Sequence, residues 1–235
     1  MHKFIFALLY GNHSDLHKRL LDSFDKHIPE IPDIEVHLWC NTVGETSRKR
    51  INASRYSVTF SEVNLPKYKA MEILFKKPKQ MGEDHDWVVW FDDDSYITDP
   101  AWLAAALALA FKPEVRYMGQ PWYVHHLPGQ WEFIKESEWF KSRPPEMLPT
   151  RDPRKKKAGV SFAQGAYWWL RVDALRALDW PDPRLKHNGG DTLLGEAVRQ
   201  QGWQLNKCQF GVSINEAGRR GMNERPAGSL VDARR

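Results

Sequence analysis

Trp87-Val-Val-Trp-Phe-Asp-Asp-Asp-Ser-Tyr-Ile97 runs five apolar residues straight into three consecutive carboxylates. A continuous apolar run of this length is the pattern of a strand buried on both faces. Three aspartates at its end are costly, because like charges repel and, beside a buried sheet edge, call for a neutralising cation. A hard divalent ion with oxygen ligands supplies one and keeps coordination positions for a ligand's phosphates. The alternative is a solvated turn in which one aspartate caps a helix. The apolar strand in front of the cluster favours the ion.

Upstream, strand and helix patterns alternate. Phe4 to Tyr10 is a second buried strand, and Ser14 is the expected N-cap of a helix carrying Leu16, Leu20, Leu21 and Phe24. Ile34 to Trp39 alternates like a strand, Thr46 to Ala53 reads as a short basic helix, Tyr56 to Phe60 as a strand and Tyr68 to Phe75 as a helix. These β-α units predict an α/β fold: an open, mostly parallel sheet flanked by helices on both faces. Ligands of such sheets bind at the carboxyl ends of the strands, where the aspartates sit.

Downstream, a helix is expected over 101–111, a returning strand from Val115 to Gly119, and then a long Pro-, Trp- and Lys-rich loop over 120–159. Loops of that length are commonly lids. A strand from Ala163 to Leu170, helices Asp173–Leu178 and Thr192–Gln201, and a strand about Gln204 to Cys208 complete a single domain, 1–210. Residues 211–235 read as a basic, flexible tail.

Composition excludes some classes. Of 235 residues, 42% are hydrophobic and 27% charged, which is globular rather than disordered. The longest apolar run, Trp102 to Phe111, is half of a membrane span. The N-terminal apolar run lacks a small-x-small cleavage site and reads as a strand, not a signal peptide. Cys40 and Cys208 form neither a disulfide framework nor a metal knuckle. A cytoplasmic, reducing setting is expected. The net charge of +4 is too modest to establish a nucleic-acid partner, and eleven tryptophans serve packing or stacking equally well.

Three ordered segments carry a resemblance. The stretch Trp87–Ile97 resembles the metal-binding DxD segment of GT-A glycosyltransferases, in particular the Fringe and core-1 β1,3-galactosyltransferase group. Phe162-Ala-Gln-Gly-Ala-Tyr-Trp-Trp-Leu-Arg-Val-Asp-Ala-Leu175 is similar to that group's Gly-Gly-Ala segment, and Gly189-Gly-Asp-Thr-Leu-Leu-Gly195 to its acidic segment. The resemblance implies a GT-A (Rossmann-like) fold and a metal-dependent, inverting transfer of a sugar from a UDP-sugar to a hydroxyl. Asp94 then matches the main ligand of Mn²⁺ (or Mg²⁺), with Asp92 beside it, and Asp92 and Asp93 match the residues facing nucleotide and sugar. Asp191 matches the general base, although an aspartate there also suits the N-cap of the helix opening at Thr192. Uracil and ribose are expected over Tyr10, Gly11 and Asn12. Gln164, Gly165, Ala166 and Trp168 are expected at the donor sugar and acceptor. Arg19 either faces the diphosphate or is a solvated helix residue. The chain departs from the group in lacking a histidine after His187, so a water, Asn215 or another side chain would complete the metal site.

Lys141, Arg143, Arg151, Arg154, Lys155, Lys156 and Lys157, preceded by Trp122, Tyr123, His125, His126, Trp131 and Trp139, suit either a phosphate backbone with stacked bases or a lid over the donor. The acceptor is thus a hydroxymethylated base in DNA, as in DNA-modifying viruses, or a glycan. A sugar nucleotidylyltransferase would share much of the architecture, but its glycine-rich, arginine-containing N-terminal loop is missing, and two further readings compete with transfer. Phe91-Asp-Asp-Asp-Ser95 with Gly190-Asp191 loosely matches a haloacid-dehalogenase-like phosphatase, although that fold opens with the first motif. A non-catalytic nucleic-acid-binding module would leave the aspartates unexplained.

Overall fold

The computed structural model describes residues 1–125, 128–152, 154–186 and 189–214, with 128–130 as backbone only. The parallel half of the sheet holds β1 (Lys3–Tyr10), β2 (Ile34–Asn41), β3 (Ser57–Ser61) and β4 (Trp87–Asp92). Between them run α1 (Ser14–His27), α2 (Glu45–Asn52), α3 (Lys67–Leu74) and α4 (Lys76–Met81). After a short β5 (Tyr96–Ile97) and α5 (Trp102–Ala110) come β6 (Tyr117–His125), α6 (Pro128–Lys135), β7 (Glu146–Pro149) and β8 (Lys156–Arg171). The chain closes with α7 (Val172–Ala177), α8 (Gly190–Gln200), β9 (Leu205–Lys207) and β10 (Val212–Ser213).

The strand order is β3-β2-β1-β4-β8-β6-β9, with β7 on β8, and β5 pairs separately with β10. β1 is parallel to both β2 and β4, in a register that ends at Tyr10 opposite Asn41 and Leu8 opposite Asp92. Alternation assigns the two faces. Phe4, Phe6, Leu8 and Tyr10 meet α3, α7 and α8, whereas Ile5, Ala7 and Leu9 meet α1, α2 and α5. The tryptophans are mostly core: Trp87, Trp90, Trp102, Trp168, Trp169 and Trp180 are buried, and Trp90 stacks on Trp168 with ring centroids 6.1 Å apart. Each such aromatic pair adds about 0.5–1.5 kcal/mol beyond its buried area. No helix among the described residues is long and apolar enough to cross a membrane.

Four expectations need correction. The region 120–159 is not one long loop: β6 continues to His125, α6 follows, and β7 and β8 form a hairpin pairing Pro149 with Lys156 and Glu146 with Gly159. Prolines and exposed lysines hid these strands. Pro149 is tolerated because β7 is an edge strand, and Pro121 because it lies where the β6–β8 register shifts. Ser14 is the first helical residue of α1, with His13 at the N-cap and no capping side chain. α8 opens two residues earlier than expected, so its N-cap is Gly189, at φ +83°, and Asp191 lies inside the first turn. A left-handed N-cap favours glycine, and the cap role expected for Asp191 falls away. Of the flexible tail expected over 211–235, Val212–Ser213 instead form β10, paired with β5, and the part from 215 onward lies, with Asn215, His126 and His187, outside the described residues.

Candidate active site

The carboxyl ends of β1, β2 and β4 meet at one edge of the sheet, and the aspartate turn closes over it. Ser95 donates its hydroxyl to the carbonyls of Asp92 (2.7 Å) and Ala166 (2.9 Å), tying the turn to β8. Asp92 is held at both oxygens: Trp90 Nε1–H donates to Oδ1 and the Lys67 ammonium to Oδ2, each at 2.8 Å. Lys67 also donates to the carbonyl of Gly165 at 2.8 Å and is itself buried. Asp93, 1% exposed, accepts at Oδ2 from the backbone N–H of Tyr10 (3.0 Å) and from His17 Nε2 (3.2 Å). His17 in turn meets the Ser47 hydroxyl through Nδ1 at 2.7 Å. A carboxylate only accepts, so His17 donates Nε2–H to Asp93 and meets the Ser47 hydroxyl through its other ring nitrogen. Asp94 is buried at the same turn.

Gly11 turns the chain at φ +51°, and its carbonyl accepts from Gly44 at the start of α2. The Asn12 side chain fills the space beside Gly44, where an added Cβ would lie 2.1 Å from Asn12 Oδ1. Arg19 lays its guanidinium over the Tyr96 ring, 4.4 Å from the centroid, just past the aspartate turn. Gln164 and Gly165 are partly exposed on β8. Trp168 is not at the surface of the site: at 2% exposure it supports the turn from beneath, stacked on Trp90.

Asp191 faces this turn from α8. Two glycines make the approach possible. A Cβ on Gly165 would sit 3.0 Å from Asp191 Oδ2, and one on Gly190 would sit 2.1 Å from Tyr68 Cζ. Asp191 keeps part of its surface open, yet the protein around it raises its carboxyl above the usual range. Burial is the main cause and the Asp92 charge adds to it, while Lys67 and the Thr192 N–H act in the opposite direction. Burial, reinforced by Asp191 and Asp92, likewise keeps the Tyr68 phenol protonated well beyond its ordinary range.

Lys67, His17, Ser47 and Tyr68 escape a motif reading. Lys67 left one trace: a lysine at the first position of a helix opposes the helix dipole, which invites the question of what anion holds it there.

No preformed cluster of three or more His, Cys, Asp or Glu side chains exists among the described residues. Asp92 and Asp93 are both engaged by protein donors. The donor set therefore fits a hard cation that takes one or two carboxylates here and fills its shell with ligand phosphates and water.

No family model and no curated protein sequence matches the chain. Solved structures do. The mannosyltransferase PcManGT from Pyrobaculum calidifontis, in complex with GDP-Man and Mn²⁺, matches with a TM-score of 0.55 at 14% identity, over 88% of this chain and 54% of its own. TarS 1-349 from S. aureus, in complex with UDP-GlcNAc, matches at 0.55 and 16% identity, over 84% and 53%. GalNAc-T7 with UDP, GalNAc and Mn²⁺ matches at 0.59 and 12% identity, over 88% and 42%. The chain thus has the fold of the GT-A glycosyltransferases and spans about half the length of these structures.

Proposed function

We propose that this chain is a metal-dependent, inverting glycosyltransferase that moves a sugar from a UDP-sugar to a hydroxyl acceptor. One observation carries the reading: the Asp92–Asp94 turn and the part-open Asp191 converge on one sheet edge, at a gap that Gly165 leaves free of side chain. The fold, which matches that of GT-A structures, weighs against the phosphatase reading.

In this reading Tyr10, Gly11 and Asn12 hold the nucleoside and Arg19 lies toward the diphosphate. Asp94, with Asp92 beside it, would hold Mn²⁺ or Mg²⁺, which would offset the charge gathering on the leaving diphosphate. Asp93 fixes the turn through Tyr10 and His17 rather than meeting the sugar directly. Asp191 accepts the proton of the acceptor hydroxyl. That oxygen bonds to the anomeric carbon as the bond to the diphosphate breaks, which inverts the carbon. Gln164, Gly165 and Ala166 line the path between donor and acceptor. Calorimetry with UDP tests the donor half. Binding is expected with Mn²⁺ and to be lost in EDTA or in Asp94→Asn, which removes charge at constant volume. Equal affinity in EDTA excludes the metal bridge.

The acceptor is either a hydroxymethylated base in DNA or a glycan. β8 runs past the end of β4 and carries the hairpin with it, since the β4–β8 pairing stops at Phe91 opposite Tyr167. Trp122 (56% exposed) and Tyr123 (47%) pair with Phe162 and Ser161 on this extension. On the regular part of β8, Lys157 lies about 16 Å beyond Phe162, at roughly 3.3 Å per residue, and so farther still from Gly165. A ligand that reached both would be a polymer. If that polymer is nucleic acid, replacing Lys155, Lys156 and Lys157 by glutamine flattens the salt dependence of DNA binding and leaves UDP binding unchanged, because each neutralised phosphate releases counterions. Radiolabelled UDP-sugars offered with hydroxymethylated DNA, plain DNA and simple glycans identify the acceptor. Label on glycans alone excludes the DNA base.

A further inference from the structure

Helix α1 buries residues 17, 20, 21 and 24, the spacing of one helical face. Leu20, Leu21 and Phe24 fill three of these positions, and the fourth is His17, fully buried. A polar ring in a core stripe is costly unless its nitrogens are bonded. Both are: Nδ1 meets the Ser47 hydroxyl at 2.7 Å, and Nε2–H donates to Asp93 at 3.2 Å. Ser47 stands in the first turn of α2 and is buried as well. A string of polar groups thus runs from α2 through α1 to the middle carboxylate of the aspartate turn, out of contact with water.

Asp93 is also a strand partner. β1 continues to Tyr10, but its pairing with β4 stops at Leu8 opposite Asp92. The Tyr10 N–H lies past that last pair and donates to Asp93 Oδ2 at 3.0 Å. The middle aspartate therefore closes the ladder that its own strand leaves unfinished, and His17 donates to the same oxygen. With this side chain pinned inward, the backbone on either side of it is fixed, and so is the direction in which Asp92 and Asp94 leave the turn.

We propose that His17 is a positioning residue for the metal, which holds Asp93 against the end of β1 so that Asp94 meets the ion, while Ser47 fixes the His17 ring. The inference rests on the reading of the aspartate turn as the site of Mn²⁺ or Mg²⁺. It assigns part of the metal affinity to two side chains, on α1 and α2, that never touch the ion. Partners that orient metal-binding side chains in this way are commonly worth about 10–100-fold in metal affinity.

Mn²⁺ binding in the presence of saturating UDP is measured from the electron paramagnetic resonance signal of free Mn²⁺, in the wild type, His17→Leu, His17→Gln and Ser47→Ala. His17→Leu suits the core stripe but removes the donor, and is expected to weaken Mn²⁺ binding by about 10–100-fold. The glutamine amide can reach the place of Nε2, so His17→Gln is expected to bind near the wild-type level, with Ser47→Ala between the two. A folded His17→Leu with wild-type affinity overturns the proposal. Absence of Mn²⁺ binding in the wild type overturns the metal reading instead, so the two failures are distinct.

His17→Leu removes one donor from a buried carboxylate and can unfold the chain. A cycle with Asp93→Asn separates positioning from packing. Because His17 acts through Asp93, His17→Leu is expected to cost Mn²⁺ affinity in the wild-type chain and almost none in a chain already carrying Asp93→Asn. An equal cost in both overturns the proposal. Should His17→Leu not fold, Ser47→Ala decides: a folded chain with weakened Mn²⁺ binding supports the assignment, and one with undiminished binding overturns it.

Discussion

Asp191→Asn is expected to cut turnover by about 10²–10⁴, the usual worth of general-base assistance, while UDP binding changes little. The amide keeps the volume and fits the gap at Gly165, but it cannot accept the acceptor's proton. The surroundings of Asp191 sharpen the expectation. Its carboxyl is raised mainly by burial, so the proton acceptor is lost as pH falls through a value above the ordinary carboxylate range. The wild type should therefore lose activity at a higher pH than a solvent-exposed aspartate would dictate, and the asparagine variant should show no such acid limb. The measurement is kcat and donor KM across pH 4–8, with the anomeric configuration of the product read by NMR. Full turnover in the variant, or retention of configuration, removes Asp191 from the role.

Gly195→Ala is expected to destabilise the chain by about 2 kcal/mol or more, near the upper part of the usual range for overpacking. An added Cβ would stand 2.3 Å from the carbonyl oxygen of Ser161 and 2.6 Å from Phe162 Cβ. Neither neighbour is the free end of a flexible side chain, so α8 must move away from β8. Alanine improves helix propensity by up to about 1 kcal/mol, which the clash exceeds. A melting temperature lower by about 4–8 °C follows for a chain of this size. Asp191 rides on the same helix, so turnover per folded molecule should fall as well. An unchanged melting point would mean that α8 lies farther from β8 in solution.

The parallel half of the sheet was legible because both faces of β1 and β4 are apolar, and the run of side chains says so without help from context. The aspartates were legible for the opposite reason, as charges where the pattern called for burial. The hairpin of β7 and β8 was not. Its strands lie at an edge and beyond the core, so lysines and prolines replace the alternation that marks a buried strand. Lys67 and His17 were hidden by distance along the chain. Their meaning depends on Asp92 and Asp93, which only the folded sheet brings within reach. Trp168 misled in a third way: its neighbours Gln164 to Ala166 border the gap, but Trp168 lies farther along β8, where Trp90 and Phe75 bury it.

The place of β8 between β4 and β6 also bears on how the protein is made. During synthesis the first four strands can assemble early, but the far edge of β4 has no partner until β8 emerges. At ordinary translation rates that delay is on the order of ten seconds. Throughout it, Trp87 to Phe91 stands as a hydrophobic strand with one bare edge, the kind of surface that pairs with a neighbouring nascent chain. A ribosome that stalls before the codon for Tyr167 would leave that edge permanently uncovered, and the truncated product would depend on a chaperone to stay out of aggregates.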